Sequence, residues 1–408
     1  MQHTDPSRNT RQQNIILLVL GTMIAIGPLS IDMYLPSFEN IATDFQTTKA
    51  QVGVSLTSYF IGIAFGQLAY GPIMDKFGRK VPLLVGLVIY ILSSLSCFYS
   101  PDIMWLIISR FFLAIGASAG MVAAKAVVRD IFPPEEVARA ISFLMLIMGS
   151  APIIAPTLGS FVIVHFSWQM IFMFLAFFAG LMFVSVLFFL PESITPDKTV
   201  ELKIKQVVFK YKGIMQDKIF LSFSLAGSLT IGAMFAYISN APILFMDRFH
   251  FTETQFGWMF GLNASGLIIG SQLNRLVLKR FSTFNLTLKI SYLLLVLGVI
   301  LFLNALFFSS FYITVISLFL ILFLLGFQNP NTTALSLYPF TKRAGRASAL
   351  VGCLKMCLGA VTSFIISLYT GISLVPMALT ILVCLVLSSM LLIRFKRKEK
   401  TALALVNP

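Results

Sequence analysis

Gly71-Pro72-Ile73-Met74-Asp75-Lys76-Phe77-Gly78-Arg79-Lys80 lies between two long apolar runs, and a degenerate copy, Gly270-Ser271-Gln272-Leu273-Asn274-Arg275 followed by Lys279-Arg280, returns 199 residues later. That offset is about half of the 408-residue chain. Each copy joins the second and third apolar span of its half. A short charged turn repeated at half-length describes two related helical bundles, and two such bundles around one pathway are how secondary transporters are built.

Composition places those bundles in a membrane. Hydrophobic residues make up 58% of the chain and charged residues 11%, with 40 Phe and a mean hydropathy of +0.90, more apolar surface than a soluble domain can hide. Runs of about 20 residues, matched to a hydrocarbon core of roughly 30 Å, predict spans at 15–37, 51–71, 81–99, 103–127, 138–165, 168–190, 219–246, 257–278, 287–308, 312–336, 347–370 and 373–394. The runs are too long and unbroken for barrel strands. The expected fold is an all-α membrane protein of twelve transmembrane helices in two pseudo-symmetric six-helix bundles. The N-terminal bundle takes residues 1–190, a cytoplasmic linker loop 191–218 and the C-terminal bundle 219–408.

Charge orients the array. With alternate loops on opposite sides, every Lys and Arg lies on the amino-terminal side or at a span end facing it, Lys125 included, except Lys49 and Arg248 in opposite loops and Arg110 and Lys355 inside spans. The positive-inside rule makes both termini cytoplasmic. The formal net charge of +14 then reads as topology and attraction to anionic lipid, not nucleic-acid binding. Span 1 is too long and too interrupted by Pro28, Asp32 and Pro36 to be a cleavable signal.

Cys97, Cys353, Cys357 and Cys384 all fall within apolar spans and read as small buried hydrophobes. His3, His165 and His250 have no paired ligand spacing, so no metal site is expected. The linker carries six lysines among four acids; it is either a flexible tether or a surface segment with Val207, Val208, Phe209 and Tyr211 dipping into the membrane. Prolines interrupt several spans, at Pro28, Pro152, Pro156, Pro242 and Pro330, as kinked gating helices require and as membrane bundles commonly tolerate.

The turn from Gly71 to Lys80 resembles the loop 2-3 signature of the major facilitator superfamily. Ile31-Asp32-Met33-Tyr34-Leu35-Pro36, Tyr59 with Gly66-Gln67, Arg110-Phe111-Phe112 through Arg129-Asp130, and Ala155-Pro156-Thr157-Leu158-Gly159-Ser160 resemble the drug:proton antiporters of its bicyclomycin-resistance-like (Bcr/CflA) branch. The resemblance is dense in the first half; in the second it rests on span order, the Asn274-Arg275 echo and the pieces around Asn263 and Asn329-Pro330-Asn331. It implies a cytoplasmic latch of Gly71, Asp75, Gly78, Arg79 and Asp130, with Arg79 bridging to Asp130. It also implies an antiporter helix of Pro152, Pro156 and Gly159. Glycines permit close approach and tight turning, and Asp75 is placed to cap a helix N-terminus. The alternative for Lys76, Arg79 and Lys80 is that they are topology charges only. Ala155, Ser160, Leu113 and Ala114 depart from the branch's pattern.

Asp32 is the only acid within a span. A carboxylate at a helix centre costs roughly 2.5 to 3.5 kcal/mol on insertion scales, which marks a functional group unless it sits at the interface. The resemblance makes Asp32 the proton-coupling acid. Arg110 enters span 4 to a similar depth, where the two could pair, and Lys355 lies near the midplane of span 11, too deep to snorkel. The expected substrate cavity is lined by Tyr34, Tyr59, Arg110, Asn240, Asn263, Asn329 and Lys355, although each polar residue alone is equally an interhelical contact. Cationic Arg110 and Lys355 favour an anionic or polar neutral substrate.

The reading that follows is an exporter, monomeric and embedded in lipid in the bacterial cytoplasmic (inner) membrane. It exchanges protons for a small amphipathic molecule by alternating access and is driven by the proton gradient with no cofactor. A proton-coupled importer is the rival within the fold, and the span 5 signature argues against it. An intramembrane enzyme lacks a nucleophile with its base, a metal set or paired carboxylates; a channel lacks filter segments or charge rings.

Overall fold

The structure is a computed structural model that describes residues 10–197, 202, 204–340, 344–369 and 371–398. All regular elements among the described residues are helical. They are α1 (Thr10–Asp32), a short 3-10 turn at Leu35–Ser37, α2 (Phe38–Asp44), α3 (Lys49–Phe77), α4 (Lys80–Phe98), α5 (Ile103–Ile131), α6 (Pro134–His165), α7 (Gln169–Phe189), α8 (Ile204–Met215), α9 (Lys218–Pro242), α10 (Glu253–Val277), α11 (Thr283–Leu303), α12 (Phe311–Leu337), α13 (Ala344–Ser367) and α14 (Val375–Lys398). Short π-helical turns extend α9 over Ile243–Arg248 and α11 over Asn304–Phe308.

Twelve of these helices correspond to the twelve expected spans, and eleven are both long and apolar enough to cross a membrane. The exception is α10, a 25-residue helix diluted by Gln255, Asn263, Gln272 and Asn274. Local chemistry sets many starts. Thr48 accepts from the Gln51 amide at 3.2 Å, Asp102 from Trp105 at 2.8 Å and Asp217 from Phe220 at 2.8 Å, while Thr252 and Gln255 form a capping box.

The first six long helices pack mainly on one another, as do the last six. Two long seams join the sets, α3 against α13 and α6 against α10. These are spans 2 with 11 and 5 with 8, so a half-chain shift exchanges one seam for the other, as a pseudo-two-fold arrangement demands. Along the first seam Thr57 Oγ1 donates to Ser363 Oγ at 3.1 Å, and the Phe60 ring lies 4.2 Å from that of Phe235 on α9. Along the second, Ser160 Oγ donates to the Glu253 carbonyl at 2.7 Å.

The linker contains a helix. Phe209 of α8 is exposed, but Tyr211 and Ile214 are buried against Phe220, Leu350 and Val351. The Tyr211 hydroxyl donates to the Leu68 carbonyl of α3 at 3.3 Å. Tyr211 therefore straps the two helix sets together instead of dipping into lipid. The side chains of Val207 and Val208 lie outside the described residues.

Candidate functional site

The loop between α3 and α4 turns at Gly78, whose φ of +87° lies in the region that favours glycine. A Cβ there would stand 2.5 Å from Glu192 Oε2. That carboxylate accepts from the Arg79 amide at 2.6 Å and the Lys80 amide at 3.1 Å, satisfying the first free N–H groups of α4. The expected helix-capping role of Asp75 is thus corrected. Asp75 sits in the last turn of α3, where N–H groups are already bonded within the helix, and it accepts from Arg79 Nη1 at 2.7 Å instead. Arg79 Nε also donates to Asp130 Oδ2 at 3.0 Å, and Ser193 Oγ donates to the same oxygen at 2.9 Å. At Gly71 a Cβ would meet only the Tyr211 hydroxyl, at 3.9 Å, so no close helix approach depends on that glycine.

In the repeated copy Asn274 stands where the first has Asp75, so the acid is gone. Asn274 and Asn331 exchange two amide hydrogen bonds, 2.9 and 3.0 Å, and fasten α10 to α12 without net charge. Asn331 is thereby committed to packing and not to a pathway.

Asp32 ends α1 and is 3% exposed. It has no ion-pair partner among the described residues, so the suggested pairing with Arg110 is not formed. The Leu35–Ser37 turn just past it packs on α6 of its own bundle and on α9 and α10 of the second, which sets Asp32 near where the two bundles face one another. The Tyr237 hydroxyl accepts from Asn263 Nδ2 at 3.0 Å, and Asn263 Oδ1 is buried without a partner. Just past Asp32, the Met33 carbonyl presses on Gly159 of α6, where any Cβ would overlap it. Gly159 thus lets the helix bearing Pro152 and Pro156 ride against the acid's own segment.

Arg110 is fully buried, with its guanidinium carbon 4.0 Å from the Tyr34 ring centroid, 5.0 Å from Tyr59 and 5.9 Å from Phe172. It donates to the carbonyls of Ser30 at 3.2 Å and Ser55 at 3.4 Å, and its Nη1 has no partner. Aromatic faces and carbonyls take the place of a carboxylate. Tyr34, Tyr59 and Arg110 therefore form one closed cluster inside the first bundle, apart from any open cleft.

Asn329 and Lys355 come together elsewhere. Lys355 Nζ donates to Asn329 Oδ1 at 2.5 Å and to Thr333 Oγ1 at 2.7 Å, bridging α13 to α12. Asn240 stands apart, with its amide 3.5 Å from Met377 Sδ within the second bundle. Of the cysteines, Cys357 is exposed where burial was expected, and its Sγ is 3.9 Å from that of Cys353.

Three further features escaped the sequence. Lys125 lies more than a turn inside the end of α5 and is only partly exposed, deeper than a charge at a span end. Tyr237 is buried against Phe260 and bonded to Asn263, but carries no mark separating it from other span tyrosines. Lys49 pairs with both Glu39 and Asp247, joining the bundles on the face opposite the start of α1; only the 198-residue separation of Lys49 and Asp247 hid it.

Comparison with known proteins gives this geometry its family. The sequence model described as Major Facilitator Superfamily matches residues 18–364. An uncharacterized MFS-type transporter, YdgK of Bacillus subtilis, is 32% identical over 93% of this chain and 95% of its own length. A bicyclomycin resistance protein homolog of Haemophilus influenzae is 29% identical over 92% and 94%, and the multidrug resistance protein MdtL of Citrobacter koseri 28% identical over 84% and 85%. Among solved structures, the xylose transporter XylE from E. coli, in a partially occluded inward open conformation, superposes with a TM-score of 0.74 at 13% identity over 95% of this chain and 98% of that one. The chain is a multi-pass membrane protein belonging to the major facilitator superfamily.

Proposed function

We propose that the protein is a proton-coupled exporter of small amphipathic molecules that works by alternating access in the bacterial cytoplasmic membrane, with both termini inside. It acts as a transporter and not as an enzyme. The observation that carries the reading is Asp32, a buried carboxyl without a counter-ion among the described residues, next to the turn where the bundles meet. Bicyclomycin and multidrug resistance in the relatives' names support export.

Closing a dry interface around a charged, unpaired carboxylate costs several kcal/mol, whereas closing it around the neutral acid does not. A proton on Asp32 therefore biases which bundle arrangement is stable, and the gradient is harvested because the acid is loaded in one arrangement and emptied in the other. The opposite face is held shut by Lys49 with Asp247, by Ser239 and Thr57 on Ser363, and by Ser160 on Glu253. Towards the face where α1 begins, Asn329, Lys355 and Lys125 are half-exposed. The arrangement fits a state open towards the cytoplasm, with Asp75, Arg79 and Asp130 as the latch that re-forms and breaks between states.

Accumulation of labelled bicyclomycin, a polar neutral molecule, in cells overproducing the protein tests this. Lower accumulation than in control cells is expected, reversed by a protonophore and by Asp32→Asn at equal membrane abundance. Unchanged efflux by Asp32→Asn would refute the coupling role, and raised accumulation in wild-type cells would refute the direction.

A further inference from the structure

Cys353 and Cys357 lie one helical turn apart near the middle of the 24-residue α13, on a segment long and apolar enough to cross a membrane. Their Sγ atoms are 3.9 Å apart. Cys353 is buried and Cys357 is exposed. Cys357 begins a stripe of exposed apolar side chains, Val361, Phe364, Ile365 and Leu368, whose three- and four-residue steps keep them on one helix face. On a membrane-spanning helix such a face meets lipid, so the thiol pair is reached from the hydrocarbon. Cys97 and Cys384 are buried on other helices.

Two thiols on successive turns form a chelate for any atom that bonds sulfur twice. The second bond closes within the molecule, which raises the combined affinity far above that of one thiol. The surroundings select the atom. A soft cation such as Cu(I) binds thiolates, and a bis-thiolate complex of it would set a negative charge against lipid, which the bilayer penalises. A monosubstituted trivalent arsenical, R–As(OH)2, avoids that penalty. Two S–As bonds form as two As–OH bonds break, and each thiol proton leaves with a hydroxide as water. Arsenic stays trivalent, no oxidant or reductant is consumed, and the bridged product is neutral.

We propose that Cys353 and Cys357 form a lipid-facing dithiol site for neutral, lipophilic trivalent arsenicals, which staple successive turns of α13. The site goes beyond the exporter reading and does not depend on it, since it requires only the helix and its lipid-facing side.

Purified full-length protein in neutral detergent, treated with phenylarsonous acid and mapped by peptide mass spectrometry, tests the pair. One arsenical bridging Cys353 and Cys357 is expected, with both thiols protected from N-ethylmaleimide. Excess 2-mercaptoethanol should leave the adduct in place, whereas the dithiol 2,3-dimercaptopropanol should remove it. In Cys353→Ser and in Cys357→Ser the remaining thiol binds singly, and 2-mercaptoethanol should strip it at a concentration about 100-fold or more below that needed for the parent. Should a serine variant fail to fold, the parent map and the contrast between the two reductants still decide.

No adduct, an adduct on Cys97 or Cys384 in place of the pair, or a parent adduct that 2-mercaptoethanol strips as readily as 2,3-dimercaptopropanol does overturns the site. Sealed proteoliposomes test the route. Phenylarsonous acid should protect the pair about tenfold or more faster than 4-sulfophenylarsonous acid, whose charge keeps it out of the bilayer. Equal rates would place the thiols on an aqueous path and overturn the lipid-facing site. Every readout is independent of proton-coupled efflux, so failure of this inference leaves the exporter reading standing, and failure of that reading leaves the dithiol site standing.

Discussion

Replacing Lys49 by Ala should loosen the face opposite the start of α1. Lys49 Nζ is 2.5 Å from Asp247 Oδ1, with side chains 22% and 23% exposed, and it also pairs with Glu39, whose side chain is 54% exposed. An exposed pair contributes about 0.2 to 1 kcal/mol; the half-buried Asp247 pair lies at the upper end and Glu39 adds a smaller share. Removing Lys49 should therefore cost the closed arrangement about 1 to 2 kcal/mol. At about 1.4 kcal/mol per tenfold, the ratio of closed to open molecules should fall by about 5- to 30-fold. Spin labels at Thr43 and His250, both exposed on that face, with the four native cysteines replaced, would report the change as a longer-distance population. Salt at about 1 M, where the screening length is roughly 3 Å, should reproduce part of it in the parent protein. A distance distribution that is unchanged in Lys49→Ala at both salt concentrations would show that the ion pairs do not hold the face shut.

The other predictions concern the turn between α3 and α4. Asp75→Asn removes one of the two carboxylates on Arg79 and should redistribute the conformations seen by the same labels while leaving ligand affinity within a few fold; lost binding with an unchanged distribution would place Asp75 in the substrate site. Gly78→Ala meets both a positive φ and the Glu192 carboxylate. It should cost about 2 kcal/mol and lower the melting temperature in detergent by several degrees, and an unchanged melting point would show that the turn relaxes freely.

The helices were legible because span length and apolarity are set by the bilayer, and the Gly71 to Lys80 echo revealed the two halves before any contact was known. The turn's glycine at 78 was legible for the same local reason, since its backbone demands it. Contacts between distant segments were not. Glu192 caps α4 from 113 residues away, and Asp75, which the local pattern offered for such a role, turned out to be at the wrong end of its helix. Lys125 shows a different limit: its distance from the end of α5 allowed a topology charge, and only packing reveals that its side chain is partly covered. Tyr211 is the linker's counterpart, an amphipathic residue whose pattern fits lipid and the α3 carbonyl equally well.

Arg110 explains why the acid and base of the first bundle need not neutralise each other. Depth along the spans put Asp32 and Arg110 at one level, and on charge alone a pair is the cheapest arrangement in hydrocarbon. The sequence also supplies Tyr34, Tyr59 and Phe172, whose faces surround the guanidinium, and the carbonyls of Ser30 and Ser55, which accept from it. A cation so held is stabilised without consuming a carboxylate. Had Arg110 paired with Asp32, protonating the acid would have meant stripping a counter-ion from a buried arginine, a cost of several kcal/mol set against every proton taken up. The aromatic cage removes that penalty, as the proton-coupling role proposed for Asp32 requires.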